Sequence, residues 1–285
     1  MLVNPINYTV TGGGSGDPAL SPIDSACRST GDVKLPDKVT SIPMGYSSGG
    51  TAYGVFSGSP LASVSGAKVT RVNESAFMYC SSLTSYSFPL INYIGMQAFS
   101  YSGLSGAINI PLTVTTLNNS AFSYTSITSV TWGDSTEASD KLAIGNTPFL
   151  SCKSLVTAVY PARATAVSNG CFSDCTALET LTVNFVPTSQ QTYLTQISNL
   201  NWIYKCTALG TLTLSNDWIA NMMISDGTTN YTNVLSHDSI VDIFSKLHDY
   251  TGDASSHWIR IGETNLARVS AEEIAVATDK NWTVS

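Results

Sequence analysis

The apolar residues of this chain recur in blocks, not at a single helical or strand period. Ala76-Phe77, Ala98-Phe99 and Ala121-Phe122 stand 22 and 23 residues apart, and Pro148-Phe149 and Cys171-Phe172 continue the column. Three residues after each Phe comes a small side chain: Cys80, Ser102, Thr125, Cys152 and Cys175. Cys206 extends that column and puts Ile203 in the Phe position. Each unit is followed by a phrase such as Leu83, Tyr86, Phe88, or Leu178, Leu181, Val183, or Leu209, Leu212, Leu214. The pattern L-x-x-L-x-L predicts a strand whose side chains point alternately inward and outward. Leu104 to Pro111 is the same phrase with one extra residue. A second apolar pair then precedes the next Phe: Val39 and Ile42, Val69 and Val72, Ile91 and Ile94, Val114 and Leu117.

A unit of about 23 residues is too short to bury its own apolar edge, so the units must stack, and stacking turns each column into a continuous ladder. Cys80, Cys152, Cys175 and Cys206 are then expected as buried structural thiols in a tight turn, not as disulfides. The Cys171 to Cys175 spacing has no second Cys or His pair near it, so no zinc site is expected.

With this register in place, Asn73 to Leu83 (N-E-S-A-F-M-Y-C-S-S-L) and Ile94 to Phe99 (I-G-M-Q-A-F) resemble the BspA-like leucine-rich repeat family. The resemblance implies a parallel-stranded solenoid with a sheet on one face and short turns on the other. It also implies non-enzymatic adhesion or recognition, on bacterial surfaces or in proteins of phages that infect gut bacteria. The expected fold is therefore an α+β repeat, a curved leucine-rich-repeat solenoid with a parallel β-sheet face and a small α/β C-terminal cap. Three stretches interrupt the period, near Pro43 to Tyr53, Gly133 to Lys141 and Asn184 to Gln196. Insertions in solenoids emerge as loops, frequently on a binding face.

The ends read differently. Residues 1–32 fall outside the repeat, and the Gly-rich stretch Gly12 to Pro18 reads as a linker after a short arm. The G-x-G-x-x-G register and following helix of a phosphate loop are absent there. The solenoid is assigned to residues 33–220. In residues 221–285, Ile240, Ile243, Phe244 and Leu247 line one helical face behind an N-cap at Ser236, and Ser270 with Glu273 forms a capping box. Trp258 to Ile261 and Trp282 to Val284 alternate as strands. Leu235-Ser236, Asp249-Tyr250, Ile261-Gly262 and Lys280 to Trp282 resemble C-terminal modules that follow such repeats in gut-bacterial and phage proteins. Such a module has a physical purpose, because the last coil of a solenoid exposes an apolar end and an open strand edge.

Composition narrows the functional classes. Charged residues make up 12% of the chain and the net charge is −7, with 13 Lys and Arg, so nucleic acid and anionic membranes are poor partners. No apolar run reaches the ~18 residues of a membrane span, so no membrane insertion is expected. The polar share is carried by 40 Ser and 33 Thr. No basic region and apolar stretch of an export signal opens the chain, which leaves two readings, a protein whose signal has been trimmed or one that reaches its site without secretion. His237, His248 and His257 are 11 and 9 residues apart, which suits surface or capping roles better than a metal site. Asp134, Glu137 and Asp140 read as a solvated loop. No catalytic motif, metal site or cofactor is expected, and so no enzyme.

Two surface features carry a binding argument. Ser85, Ser87, Asn109, Ser129, Thr131, Thr157, Thr180 and Thr182 are the outward positions of the strand phrases. In register they form one nearly uncharged face of hydroxyls able to bond a glycan or an extended protein; equally, Thr suits any exposed strand. Tyr79, Tyr101 and Tyr124 each follow a Phe by two residues and form a second ladder, either a contact surface or a support for the turns. Tyr46 and Tyr53 in the first insertion are further contact candidates. The resulting expectation is a phage tail or fibre protein contacting protein or glycan on a bacterial host surface. Residues 1–32 would be its attachment to other virion proteins, with homo-oligomerisation possible. The alternative is a bacterial cell-surface adhesin.

Overall fold

The computed structural model describes residues 29–285 apart from 49–50, 134, 136–139, 167, 187–201 and 225–232, with backbone alone at 45–48 and 51–53. The chain winds as a parallel β-solenoid. The long-strand phrases form one side of each coil, in two separate parallel sheets. The first is β1 (Asp32–Lys34), β5 (Ser63–Ser65) and β7 (Ser85–Ser87). The second runs β9 (Ser105–Ile110), β11 (Ser126–Trp132), β13 (Thr157–Tyr160), β14 (Thr180–Val183) and β15 (Thr211–Thr213). The second apolar pair of each unit ends in a two-residue strand. These stack as β2 (Ser41–Ile42), β6 (Arg71–Val72), β8 (Tyr93–Ile94), β10 (Thr116–Leu117) and β12 (Ala143–Ile144). The first insertion is an antiparallel hairpin, β3 (Met44–Ser48) and β4 (Thr51–Gly54). The second insertion is described only in part, and most of the third lies outside the described residues.

The third side of each coil is a run of tight turns around the Phe column. Phe56, Phe77, Phe99, Phe122, Phe149 and Phe172 are wholly buried. They stack at centroid spacings of 5.0, 5.3, 5.2, 5.8 and 5.7 Å, with interplanar angles of 15° or less. The residues two before and two after the Phe take left-handed backbone: Ser75 and Tyr79, Gln97 and Tyr101, Ser120 and Tyr124, Thr147 and Ser151. That conformation costs roughly 1–2 kcal/mol per non-Gly residue. Backbone bonds between coils offset it. Ser75, Phe77 and Tyr79 donate to the carbonyls of Met96, Ala98 and Ser100, and Met78 and Cys80 bond back to Ser75 and Phe77 within the turn. Every second N–H thus serves the coil and the others serve the stack.

The small-residue column has the expected burial. Cys80, Cys152, Cys171, Cys175 and Cys206 are buried free thiols; Cys27 lies outside the described residues. Four of the thiols donate to the carbonyl of the Phe one coil back, Cys80 to Phe56, Cys152 to Phe122, Cys175 to Phe149 and Cys206 to Phe172, at 2.8, 3.2, 3.1 and 3.0 Å. Burial pushes Cys152 up to about 11 and Cys206 up to about 12. An unfolded thiol ionises first, near 9, so this stability is complete below that pH and declines as pH rises toward 11 to 12. Iodoacetamide at pH 8 is expected to spare these thiols in the folded chain and to label them in denaturant. Mass mapping that found Cys152 or Cys175 alkylated in the native state, or in a disulfide, would refute the ladder.

At the C-terminal end, α1 (His237–Lys246) starts at Ser236, whose side chain accepts from the Ser239 N–H. The short α2 (Glu263–Leu266) and α3 (Ala271–Thr278) follow, the latter opened by the full Ser270/Glu273 capping box. A parallel sheet of β16 (Met222–Met223), β17 (His257–Arg260) and β18 (Trp282–Val284) completes the segment. Helix α1 lies against β15: Ser239 Oγ accepts from the Leu212 N–H at 2.9 Å and donates to the Leu212 carbonyl at 3.0 Å. Ile240, Ile243 and Phe244 are buried beneath it.

Candidate functional site

The long-strand sheets position the outward hydroxyls. Inward residues such as Leu181 and Val183 or Leu212 and Leu214 are buried, so the period-2 alternation fixes which side chains face out. In the larger sheet, Thr157 stands opposite Thr180 and Thr180 opposite Thr211. Ser129 leads into the same row by pairing with Thr157. A second row runs from Val159 to Thr182 to Thr213, and Asn109 pairs with Thr131. Thr131 Oγ1 donates to Asn109 Oδ1 at 3.3 Å, so neighbouring coils are laced by side chains as well as backbone. In β9 to β15 no outward position carries a charge; in the smaller sheet the outward Asp32 and Lys34 of β1 do.

Ser85 and Ser87 belong to the smaller sheet, opposite Ser63 and Ser65. The single continuous face expected from the sequence is therefore wrong at one point. Among the described residues no ladder joins β7 to β9. The phrase that carries an extra residue, Leu104 to Pro111, holds Gly106 at φ 73°, and its pairing with β11 is irregular at Ile127 to Ser129. An extra residue cannot keep both flanking registers, and here the β7 side is given up.

The tyrosine ladder forms as predicted. Tyr79 stacks on Tyr101 at 5.1 Å and Tyr101 on Tyr124 at 4.3 Å, and the three are 47%, 41% and 42% exposed. Both faces of Tyr101 and one face each of Tyr79 and Tyr124 are spent in the stack, so along its length the ladder presents ring edges and hydroxyls to solvent. Partial burial, then the adjoining Tyr124 and Tyr79 phenols, raise the Tyr101 pKa above its ordinary value. Tyr46 and Tyr53 sit in β3 and β4, but their side chains lie outside the described residues.

The remaining candidates assemble into no reaction centre. Asp134 and Glu137 lie outside the described residues, and Asp140 accepts from Ser135 Oγ at 2.7 Å. No group of three His, Cys, Asp or Glu able to hold a metal occurs among the described residues. His237 bridges α1 and α3 through Glu273 at 2.9 Å, His248 pairs with Asp217 at 2.5 Å, and His257 stacks on Tyr250. No described helix is long and apolar enough to cross a membrane. The sequence reading missed Tyr86, which it took as one more inward strand residue. Its ring packs inward on Phe99 at 4.7 Å, yet the residue remains half-buried and reaches the gap between β7 and β9.

Parallel coils, a strand side, a turn side and a stacked Phe column define a leucine-rich-repeat solenoid. The BspA type leucine rich repeat region matches this chain in six copies over residues 25–143 and 137–241, and the chain belongs to that family. No curated protein matches it. A leucine-rich repeat protein from Bacteroides ovatus ATCC 8483, known from a crystal structure, is similar at 16% identity and a TM-score of 0.46. The match covers 79% of this chain and 54% of that one, so this chain spans about half the length of that protein.

Proposed function

We propose that this chain is a non-enzymatic recognition protein whose sheet face binds a neutral ligand on a cell surface. The observation that carries the reading is the uncharged outward face of β9 to β15, where Ser, Thr and Asn repeat in register from coil to coil. Hydroxyls donate and accept, and a face without charge bonds a neutral glycan or peptide without stripping water from ions. Leucine-rich repeats of this kind serve as binding scaffolds, and family membership supports adhesion as the general role.

The placement we favour is a phage tail or fibre that meets a bacterial host, with residues 1–32 as its attachment to other virion proteins and residues 221–285 as the solenoid's cap. The C-terminal segment's likeness to phage and gut-bacterial modules supports it. A bacterial surface adhesin for host protein or glycan is the second reading, favoured by membership of the BspA type family. Mass spectrometry of purified particles and surface labelling of intact cells separate the two: detection only on cells removes the virion placement.

The face itself is tested by replacing Thr131, Thr157 and Thr182 with Lys together and probing a glycan array and intact cells. Binding is expected to be lost while circular dichroism and melting stay as in the wild type. Retained binding would move the site to the turns or the hairpin.

A further inference from the structure

Where the sheet face parts between β7 and β9, it opens into a cleft of about 170 Å³. Its polar lining is Thr84, Ser85, Ser105 and Asn109; its apolar lining is Leu104, Ala107, Ile108 and the body of Tyr86. None of these residues carries a charge.

Tyr86 is the unusual member. Its ring is fixed between coils, 4.7 Å from Phe99 and 5.7 Å from Phe88, and burial alone raises its phenol above the ordinary range. Yet among the described residues its hydroxyl makes no hydrogen bond. The wholly buried Tyr160 is the contrast: its hydroxyl donates to the Ala166 carbonyl at 2.6 Å and accepts from the Ser168 N–H at 3.0 Å. The Tyr86 hydroxyl is uncommitted within the described residues and open to a partner that enters the cleft.

We propose that this cleft is the anchor subsite of the recognition face, taking one neutral sugar ring of a larger glycan, with the Tyr86 hydroxyl and the Thr84, Ser85, Ser105 and Asn109 side chains as its hydrogen-bonding groups. The proposal rests on the sheet-face reading above and narrows it. Size decides for one ring: whole drug-sized ligands fill pockets of about 300–1,000 Å³, so this cleft holds one unit of a ligand that continues along the face. Chemistry decides for sugar: an uncharged lining that pairs apolar floor with polar rim matches a ring with C–H faces and hydroxyl edges.

The test titrates methyl hexosides and methyl N-acetylhexosaminides, all neutral, into the isotope-labelled full chain and follows amide shifts. Saturable shifts are expected at Thr84 to Ser85 and Ser105 to Asn109. Tyr86→Phe should weaken binding about tenfold, the worth of one well-made hydrogen bond, without lowering the melting temperature, because the hydroxyl it removes is unpaired. Ala107→Phe, at an exposed position, should fill the cleft and abolish the shifts. Shifts at other amides, unchanged affinity in Ala107→Phe, or saturation by a neutral Ser/Gly peptide alone would overturn the proposal. Cell binding lost in the triple-Lys variant but kept in Ala107→Phe would discard the cleft and leave the face; binding kept in both would discard both.

Discussion

Phe122→Ala is expected to destabilise the protein by about 3–5 kcal/mol, the range for emptying a large buried aromatic site. Phe122 sits mid-column, wholly buried, with Phe99 at 5.2 Å on one side and Phe149 at 5.8 Å on the other. Its neighbours cannot close the gap, because each is fixed by its own turn, whose N–H groups bond to the next coil. Stability in a solenoid is a sum of coil and interface terms, so one central deletion weakens two interfaces at once. Phe56→Ala is the control. Phe56 stacks on Phe77 alone within the column, at 5.0 Å, and should cost less. Phe122→Ile should also cost less, since the wholly buried Ile203 fills the same column position, six residues before the strand phrase that begins at Leu209. Urea unfolding of the three variants checks the order, and equal losses at positions 56 and 122 would show that the coils are not coupled through this column.

Much of this fold was legible because it is periodic. A Phe every 22 or 23 residues, a small residue three later and an L-x-x-L-x-L phrase leave little freedom in how coils stack. The C-terminal caps were legible for a local reason: Ser236 and the Ser270/Glu273 box act within one helical turn of their own sequence. What escaped depends on contacts between coils. The left-handed backbone at Tyr79, Gln97, Tyr101 and Tyr124 has no sequence signal, since none is Gly and the bonds that stabilise it come from the adjacent coil. The break beside β9 follows from the one extra residue between Leu104 and Pro111, visible in the sequence. Which neighbour loses its pairing is settled only by the register with β11. Tyr86 was unremarkable at an inward strand position; its hydroxyl gains significance only because the adjoining strand is displaced.

Ser239→Ala carries the second large expectation, a loss of about 2–4 kcal/mol from a change that deletes one oxygen. Strand β15 is paired on one side with β14, and its other edge would leave backbone groups open. The Leu212 N–H and carbonyl on that edge are both met by the single Ser239 hydroxyl, in a residue 5% exposed. Removing it leaves a donor and an acceptor buried without partners, each worth roughly 1–3 kcal/mol. Ser245→Ala on the same helix removes an exposed hydroxyl bonded to the Asp242 carbonyl and should change stability by less than about 0.5 kcal/mol. Helix propensity cannot produce the contrast, since both changes are Ser to Ala and Ala is the better helix former. Hydrogen exchange locates the effect: the Leu212 amide should lose protection in Ser239→Ala, while the Leu181 amide one coil inward keeps it. Similar stabilities for the two variants would mean that apolar packing by Ile240, Ile243 and Phe244 alone seals the coil. If instead the edge opens, β15 becomes an unpaired strand beside an apolar core, and concentration-dependent self-association in sedimentation should accompany the loss of stability.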